Sequence, residues 1–442
     1  MQKNVIWIVT DQQRAESLSV NGSENSSTPN IDGLAKTGIN FKYAISGTPL
    51  CCPFRGSMLT GMYPHHCVPG HEYRMDPKLP TIAHSFNENG YNTFYLGKWH
   101  VDGAKESEVR AGTHYVEKER RGGFVSWLGY ENNNAQYDCY LHGHKENEEI
   151  PMFKLKEYET DAITNIMVDY IKEQSQKEIP FFAVMSIQPP HDPYVAPAEF
   201  QRGHTPSNIK FRENVPNIDE VRNQARQELS GYYAMVENID YNVGRIVDTL
   251  NEMNIMEDTH IIYFSDHGDM HGSHGQFRKT TPYQEAVNIP FIISGEKRGA
   301  HVVKRRVANI DNIVINHVDI APTTLGLCGI DVPERMEGTD YSFIRYTDSK
   351  KGEIPESAYM QQVIPTYHFD SINKPWRGVV TVDGYKYVCF EEMDWLLFDL
   401  KKDPYEQMNL VHNEKYKDLR NRLNQMTKDW AIKTEDRFKV PK

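Results

Sequence analysis

The chain has 442 residues, 39% of them hydrophobic and 25% charged, a globular balance that excludes a disordered or fibrous protein. That length exceeds one small core and suits a large domain with a smaller one beside it. A net charge of -12 argues against general nucleic-acid binding, which needs a basic footprint, and no apolar run reaches the roughly 20 residues that span a bilayer.

The opening Met1-Gln2-Lys3-Asn4 lacks the apolar core and cleavage site of a signal peptide, which predicts a cytoplasmic protein that does not engage membranes. NVIWIVT at 4–10 is a short β-branched run and predicts a strand buried on both faces. Thr28-Pro29 opens a helix as cap and first-turn proline, and Gly38 closes it. Runs at 93–96, 181–187, 260–265 and 289–294 predict further strands. Between them, Thr160 caps a helix carrying Ile163, Ile166, Met167 and Tyr170, a long helix is predicted over 221–253, and another over 320–328. The alternation predicts an α/β fold with a large, mostly parallel or mixed central sheet flanked by helices. From about residue 345 the pattern changes to short strands at 357–363, 378–382, 386–390 and 395–399, then a charged helix at 414–431. The expected division is a main domain at 1–345 and a C-terminal α+β subdomain at 346–442, a short antiparallel sheet plus a helix. The polar stretch 130–149 reads as a long surface insertion, and there are no internal repeats.

In open α/β sheets ligands collect beyond the carboxyl ends of the strands, and polar residues follow each predicted strand there. The first ends in Asp11-Gln12, and the run at 93–96 leads to Gly97-Lys98-Trp99-His100. The run at 181–187 leads to Pro190-His191-Asp192, and the run at 260–265 to Asp266-His267-Gly268-Asp269. Each alone has an ordinary explanation: Asp11 as a helix cap, Lys98 and His100 on a solvated turn, His191 in an ordered loop. Four such ends rich in Asp, His and Lys are better explained by one shared site.

The six cysteines, at 51, 52, 67, 139, 328 and 389, show no metal-ligand or disulfide-framework spacing. The sharpest signal is Cys51-Cys52-Pro53-Phe54-Arg55, followed by Gly56-Ser57-Met58-Leu59-Thr60-Gly61. Cys51 falls just before a helix start, where the dipole and free N–H groups favour an anion; Pro53 suits the first turn and Gly61 the end. A buried packing cysteine and a low-pKa thiol are the structural alternatives.

These residues resemble the type I sulfatases, the formylglycine-dependent branch of the alkaline-phosphatase superfamily, over nearly the whole chain. Besides Cys-x-Pro-x-Arg and Leu-Thr-Gly, the resemblance covers Thr10-Asp11, Gly97-Lys98-Trp99-His100 and Pro189-Pro190-His191. It extends to Ser265-Asp266-His267-Gly268-Asp269-Met270 with Lys279 and Tyr283, and to Phe398-Asp399-Leu400, Asp403-Pro404-Tyr405-Glu406 and Asn409-Leu410 near the end. It implies a sulfuric ester hydrolase in which a separate maturation enzyme oxidises Cys51 to formylglycine. The hydrated aldehyde then attacks sulfur, forming a covalent sulfate intermediate. By the same resemblance Arg55 holds the diol, Lys98 and Lys279 stabilise the sulfate oxygens, His100 is the base, and His191 with Lys279 faces the leaving oxygen as acid.

The implied metal ligands are Asp11, Gln12, Asp266, His267 and modified Cys51. Gln12 and His267 depart from the commoner Asp and Asn of the family, removing one negative charge and replacing an oxygen with an imidazole nitrogen. One divalent ion is expected, calcium first, with manganese or another transition ion open because of the imidazole. A phosphonate monoester or phosphodiester hydrolase of the same superfamily remains the alternative, since both ester classes are tetrahedral. For the substrate, Trp127, Tyr130, Asn132, Asn133, Asn134 and Tyr137 in the stretch 121–144 suit stacking on and hydrogen bonding to a sugar, which predicts a carbohydrate sulfate. A surface loop packing on the domain explains the same residues.

Overall fold

The computed structural model describes residues 2–295, 308–346, 353–366 and 371–442. The junction expected at 345/346 abuts residues 347–352, which lie outside the described residues.

The large sheet takes, in chain order, β1 (Asn4–Thr10), β2 (Ile39–Ile45), β3 (Asn92–Lys98), β4 (Ser126–Tyr130), β5 (Tyr140–Lys145) and β6 (Glu148–Lys154). It continues with β7 (Phe181–Ser186), β8 (Thr259–Ser265), β9 (Phe291–Gly295) and β10 (Ala308–Asn316). The spatial order is β10-β2-β9-β8-β1-β7-β3-β4-β5-β6. It is a mixed sheet: β1 runs parallel to β7 and β8, and β3 to β7 and β4, while β9 is antiparallel to β8 and β2.

β1 shows why its sequence is apolar at every position. Side chains alternate across a strand, so Val5, Trp7 and Val9 enter one core and Ile6 and Ile8 the other. The first core is closed by helices α2 (Cys51–Thr60), α3 (Ile82–Glu88) and α6 (Ile320–Leu327); Trp7 even donates its indole N–H to Thr324 at 3.0 Å. The second is closed by α1 (Pro29–Thr37), α4 (Glu159–Gln174) and α5 (Asp219–Glu252).

The stretch 130–149 is not a surface insertion. β4, β5 and β6 form a meander that extends the large sheet beyond β3. Trp127 and Tyr130 are fully buried, the former against Tyr95 and Trp99, with the Arg121 guanidinium 5.2 Å from its ring. Neither ring can stack on a sugar. β4 lies between β3 and β5 with a paired neighbour on each side, which buries these rings, and in this meander β6 alone is at the edge of the sheet.

Strands β11 (Ser357–Gln362), β12 (Trp376–Thr381), β13 (Tyr385–Phe390) and β14 (Met393–Asp399) form a separate antiparallel sheet. One face packs on the main domain through Ile45, Val287 and Val314, the other on α7 (Lys417–Lys433) through Leu423 and Ala431. Polar ties cross the first face: buried Lys386 donates to the Pro282 carbonyl and pairs with Glu406, both at 2.6 Å. The Trp376 indole donates to the Thr280 carbonyl at 3.2 Å. Among the described residues no helix is long and apolar enough to cross a membrane.

Candidate active site

β1, β3 and β8 run parallel or through shared neighbours, so their carboxyl ends reach one edge of the sheet and deliver Asp11, Lys98 and Asp266 together. Close strand approach is needed for this. A Cβ on Gly97 would stand 1.9 Å from the Ser186 carbonyl oxygen, and Gly97 has φ +105°, so only glycine lets β3 reach β7 there. The carbonyl of Lys98 is then gripped by Arg55 (3.0 Å), Ser186 (2.9 Å) and the Tyr95 hydroxyl, fixing where the side chain starts.

Cys51 is the first residue of α2, all of whose residues are buried. Its sulfur lies 3.1 Å from His267 Nε2 and 3.7 Å from Asp11 Oδ1. Arg55, one turn on, is fully buried and reaches Asp11 Oδ2 (3.0 Å), Asp266 Oδ2 (3.3 Å) and Ser186 Oγ (2.7 Å). Its Nε has no hydrogen-bond partner among the described residues. Lys98 Nζ stands 2.7 Å from Asp11 Oδ2 but outside hydrogen-bond geometry, so this buried ammonium still has donors to offer.

The donor atoms of Asp11, Cys51, Asp266 and His267 all lie within 4.8 Å of one another. Two further observations say that they fit a cation. The Gly268 carbonyl, 2.9 Å from His267 Nδ1, takes the proton of that nitrogen and leaves the Nε2 lone pair facing the cluster; burial lowers the ring's pKa and keeps it neutral. The carboxylates are also in conflict. Burial would raise Asp11, but the charges of Lys98, His191 and Arg55 outweigh it and hold Asp11 well below its usual range. Asp266 is pushed up by burial and then by the charge on Asp11. A divalent ion would relieve that repulsion.

Gln12 bridges this cluster to a second one. Its backbone N–H donates to Asp266 Oδ1 (3.0 Å), its amide oxygen accepts from Lys279 Nζ (2.7 Å), and its amide nitrogen donates to Asp269 Oδ2 (2.7 Å). Lys279 Nζ is also 2.6 Å from His191 Nε2, and His191 Nδ1 donates to the Asp192 carbonyl at 2.8 Å. The Lys279 pKa is raised: burial works against the charge, but negative groups at Cys51, Asp11, Asp192 and Asp266 win. Asp192 is held at about 2, because His191, Lys279 and Arg278 overcome the cost of its burial.

A cleft of about 250 Å³ opens over Cys51, lined by His100, His191 and Lys279 from the expected set. Burial, with Lys98, His71 and Arg55 beside it, pushes the His100 pKa well below the ordinary histidine value, so the ring is a neutral base. The cleft also takes His71, Glu106, Asn132, Asn134, Asp192 and Arg278. Thus Asn132 and Asn134 reach the site although Trp127 and Tyr130 do not, and Tyr137 is largely exposed. Sequence reasoning missed His71, Glu106 and Arg278, which no motif marks. The backbone carries a signal that sequence does not: Gln12, His100, Arg278 and Thr280 all have left-handed φ between 55° and 73°. Such residues cost about 1–3 kcal/mol each and collect at functional sites.

Comparison with known proteins bears on this geometry. The sulfatase family model matches residues 3–330, and one described as N-sulphoglucosamine sulphohydrolase, C-terminal, matches residues 272–433. An ulvan-active sulfatase of Formosa agariphila is 33% identical over 444 residues, covering 99% of this chain and 82% of the relative. A solved structure from Bacteroides fragilis, described as the sulfatase YidJ, has a TM-score of 0.86 at 26% identity, covering 99% of this chain and 97% of that one. A solved complex with D-glucosamine-2-N,6-O-disulfate, described as its substrate, shares the fold with a TM-score of 0.81 at 21% identity, covering 99% of each chain.

Proposed function

Because the chain belongs to the sulfatase family, it is a sulfuric ester hydrolase, and we propose that its ester is a carbohydrate sulfate cleaved over Cys51 after oxidation of that residue to formylglycine. The observation that carries the proposal is the set of groups around Cys51: buried Lys98, paired with Asp11 and without a hydrogen-bond partner among the described residues, and the neutral His100 and the Lys279–His191 pair, which line the cleft over Cys51. The relatives that act on ulvan and on a glucosamine disulfate support a sugar, and Asn132 and Asn134 supply amides in the cleft for its hydroxyls.

When present, formylglycine would supply a geminal-diol hydroxyl as nucleophile, and the divalent ion would supply Lewis acidity. Asp11, Asp266 and His267, with Gln12 beside them, would hold that ion. Arg55 keeps the two carboxylates in register and neutralises part of their charge. Lys98 and Lys279 donate to the non-bridging sulfate oxygens, where charge is fixed before the reaction starts. His100 accepts a proton from the diol at a ring nitrogen. Lys279 and His191 share a proton across 2.6 Å and deliver it to the leaving sugar oxygen. The chemistry assigned to Cys51 requires a maturation enzyme as partner. The ion is proposed to be calcium, with manganese admitted by the His267 nitrogen.

The test is co-expression with a formylglycine-generating enzyme and confirmation of the aldehyde on the Cys51 peptide by mass. Hydrolysis of an aryl sulfate, an aryl phosphonate monoester and a panel of sulfated sugars is then compared, with Cys51→Ala as blank. Turnover of sugar sulfates above the aryl sulfate is expected. Preference for the aryl sulfate over every sugar would overturn the substrate class, and dominance of the phosphonate would overturn the reaction class.

A further inference from the structure

We infer that Cys52, His71 and His100 form a second metal site, suited to a thiophilic divalent cation of the zinc class, whose occupation takes the base His100 out of service. Successive residues on a helix point about 100° apart, so the two adjacent cysteines at the start of α2 serve different neighbours. Cys51 faces Asp11 and His267, whereas Cys52 Sγ lies 3.7 Å from His71 Nδ1. One donor atom each from Cys52, His71 and His100 lies within 4.8 Å of the others. With zinc–sulfur near 2.3 Å and zinc–nitrogen near 2.0 Å, a tetrahedral ion separates sulfur from nitrogen by about 3.5 Å, close to the spacing found here.

The surroundings resemble a built ligand set. His71 Nε2 stands 3.6 Å from Glu72 Oε1, a carboxylate behind the ring, and Glu72 is itself held by the Glu106 N–H at 2.7 Å. His100 Nδ1 is buried without a hydrogen-bond partner among the described residues. The rings of His71 and His100 stand edge to face with centroids 5.6 Å apart, and both border the cleft, which leaves a fourth position open to water.

The two clusters differ in softness. Beside the sulfur of Cys51 stand two carboxylates and one imidazole, and once that residue is oxidised or replaced by Ala the remaining donors suit a harder cation; beside the sulfur of Cys52 stand two imidazoles, a set that selects softer ones. Binding would exchange the Cys52 thiol proton, released to solvent, for a metal–sulfur bond, with no change of oxidation state. Turnover would stop because His100 would then be a ligand rather than a base.

Two measurements test this. Cobalt(II) is titrated into Cys51→Ala protein in excess calcium, and near-ultraviolet thiolate-to-cobalt absorption is recorded. The expected result is a band that saturates near one equivalent and vanishes in Cys51→Ala/Cys52→Ser and in Cys51→Ala/His71→Ala. No band in the first protein, or an unchanged band in both double variants, would overturn the site. The second measurement, which rests on the sulfatase reading, follows zinc inhibition of matured enzyme in excess calcium, with rates normalised to aldehyde content. Cys52→Ser should leave the zinc-free rate intact and raise the half-inhibitory zinc concentration about tenfold or more, since even the orienting partner of a ligand is worth that much. Equal inhibition of both proteins would overturn the inhibitory role, whereas an inactive but cobalt-binding protein would overturn only the reaction assigned above.

Discussion

Asp11, Arg55, Lys98, Asp266 and His267 hang from strand ends and one helix start and are completely buried, whereas His71, Asp192, Arg278 and Lys279 sit on loops around the cleft and keep some contact with solvent. The buried half is positioned by the large sheet, through the close β3–β7 approach and the three donors on the Lys98 carbonyl. The loop half is held differently. Lys279 lies beside the segment 280–284, which the C-terminal sheet ties down through Trp376, Lys386 and Glu406. The difference teaches that the buried charged groups are positioned by the large sheet, while the Lys279 side of the cleft is also tied to a second, separately packed sheet. The loop half, with Asn132 and Asn134, lines the cleft over Cys51.

Substitutions can break that division. Cys51→Ala removes the proposed nucleophile, and turnover should fall to the blank, by at least about 10⁴-fold in kcat, with mass spectrometry confirming that no aldehyde forms. Lys98→Ala deletes a preorganised cation from the buried half and should lower kcat about 10²–10³-fold, read under saturating substrate. Chelation of the divalent ion should also abolish turnover and lower Tm. In Cys51→Ala protein the Tm response should persist, because Asp11 and Asp266 are still left facing one another.

Lys386→Met reaches the loop half from outside the cleft. It strands the buried Glu406 carboxyl and should cost about 3–5 kcal/mol in stability by denaturant unfolding. In the fraction that remains folded, kcat should fall roughly tenfold through loss of orientation at Lys279 rather than through lost charge. Lost stability with an unchanged kcat in the folded fraction would show that the tie is structural only. The smallest functional effect belongs to Trp127→Ala. Removing this buried indole should cost about 3–5 kcal/mol in stability yet leave KM for any sulfated sugar unchanged. A raised KM would return Trp127 to the sugar site, against its burial.

The candidate site was more legible than parts of the fold that surrounds it. β1 reads as NVIWIVT because both its faces are covered, and burial of that kind writes itself into composition. β10 reads as ANIDNIVIN, whose Asn and Asp break the apolar run, and it pairs with β2 at the rim of the sheet, so neither strand announced itself. The meander β4–β6 is hidden because its strands are short and mix polar with apolar residues, although β6 alone of the three is at the edge, and Trp127 and Tyr130, whose types suit a sugar, are core. At the site, Asp11, Lys98, His100, His191, Asp266 and His267 stand out because polar groups directly after apolar runs mark the carboxyl edge of a parallel sheet, Cys51 and Arg55 stand out through the Cys-x-Pro-x-Arg pattern, and Lys279 is marked by the family resemblance alone.

The sequence by itself determined the groups offered: a cysteine at a helix start in the Cys-x-Pro-x-Arg pattern, and Asp, His and Lys residues directly after apolar runs, with the metal-ligand set and the place of Lys279 implied by the family resemblance. Residue identity and local spacing suffice for the motifs, since each sits within one turn or one strand end, while the ligand set follows from the resemblance. Only the tertiary structure decided which of these groups meet. It paired Lys279 with His191 and Gln12, turned the His267 Nε2 lone pair toward Cys51, and brought His71 from a motif-free loop against Cys52. Those contacts join residues tens to hundreds of positions apart, and their geometry is set by strand order and by the packing of one sheet on another, which no local pattern encodes.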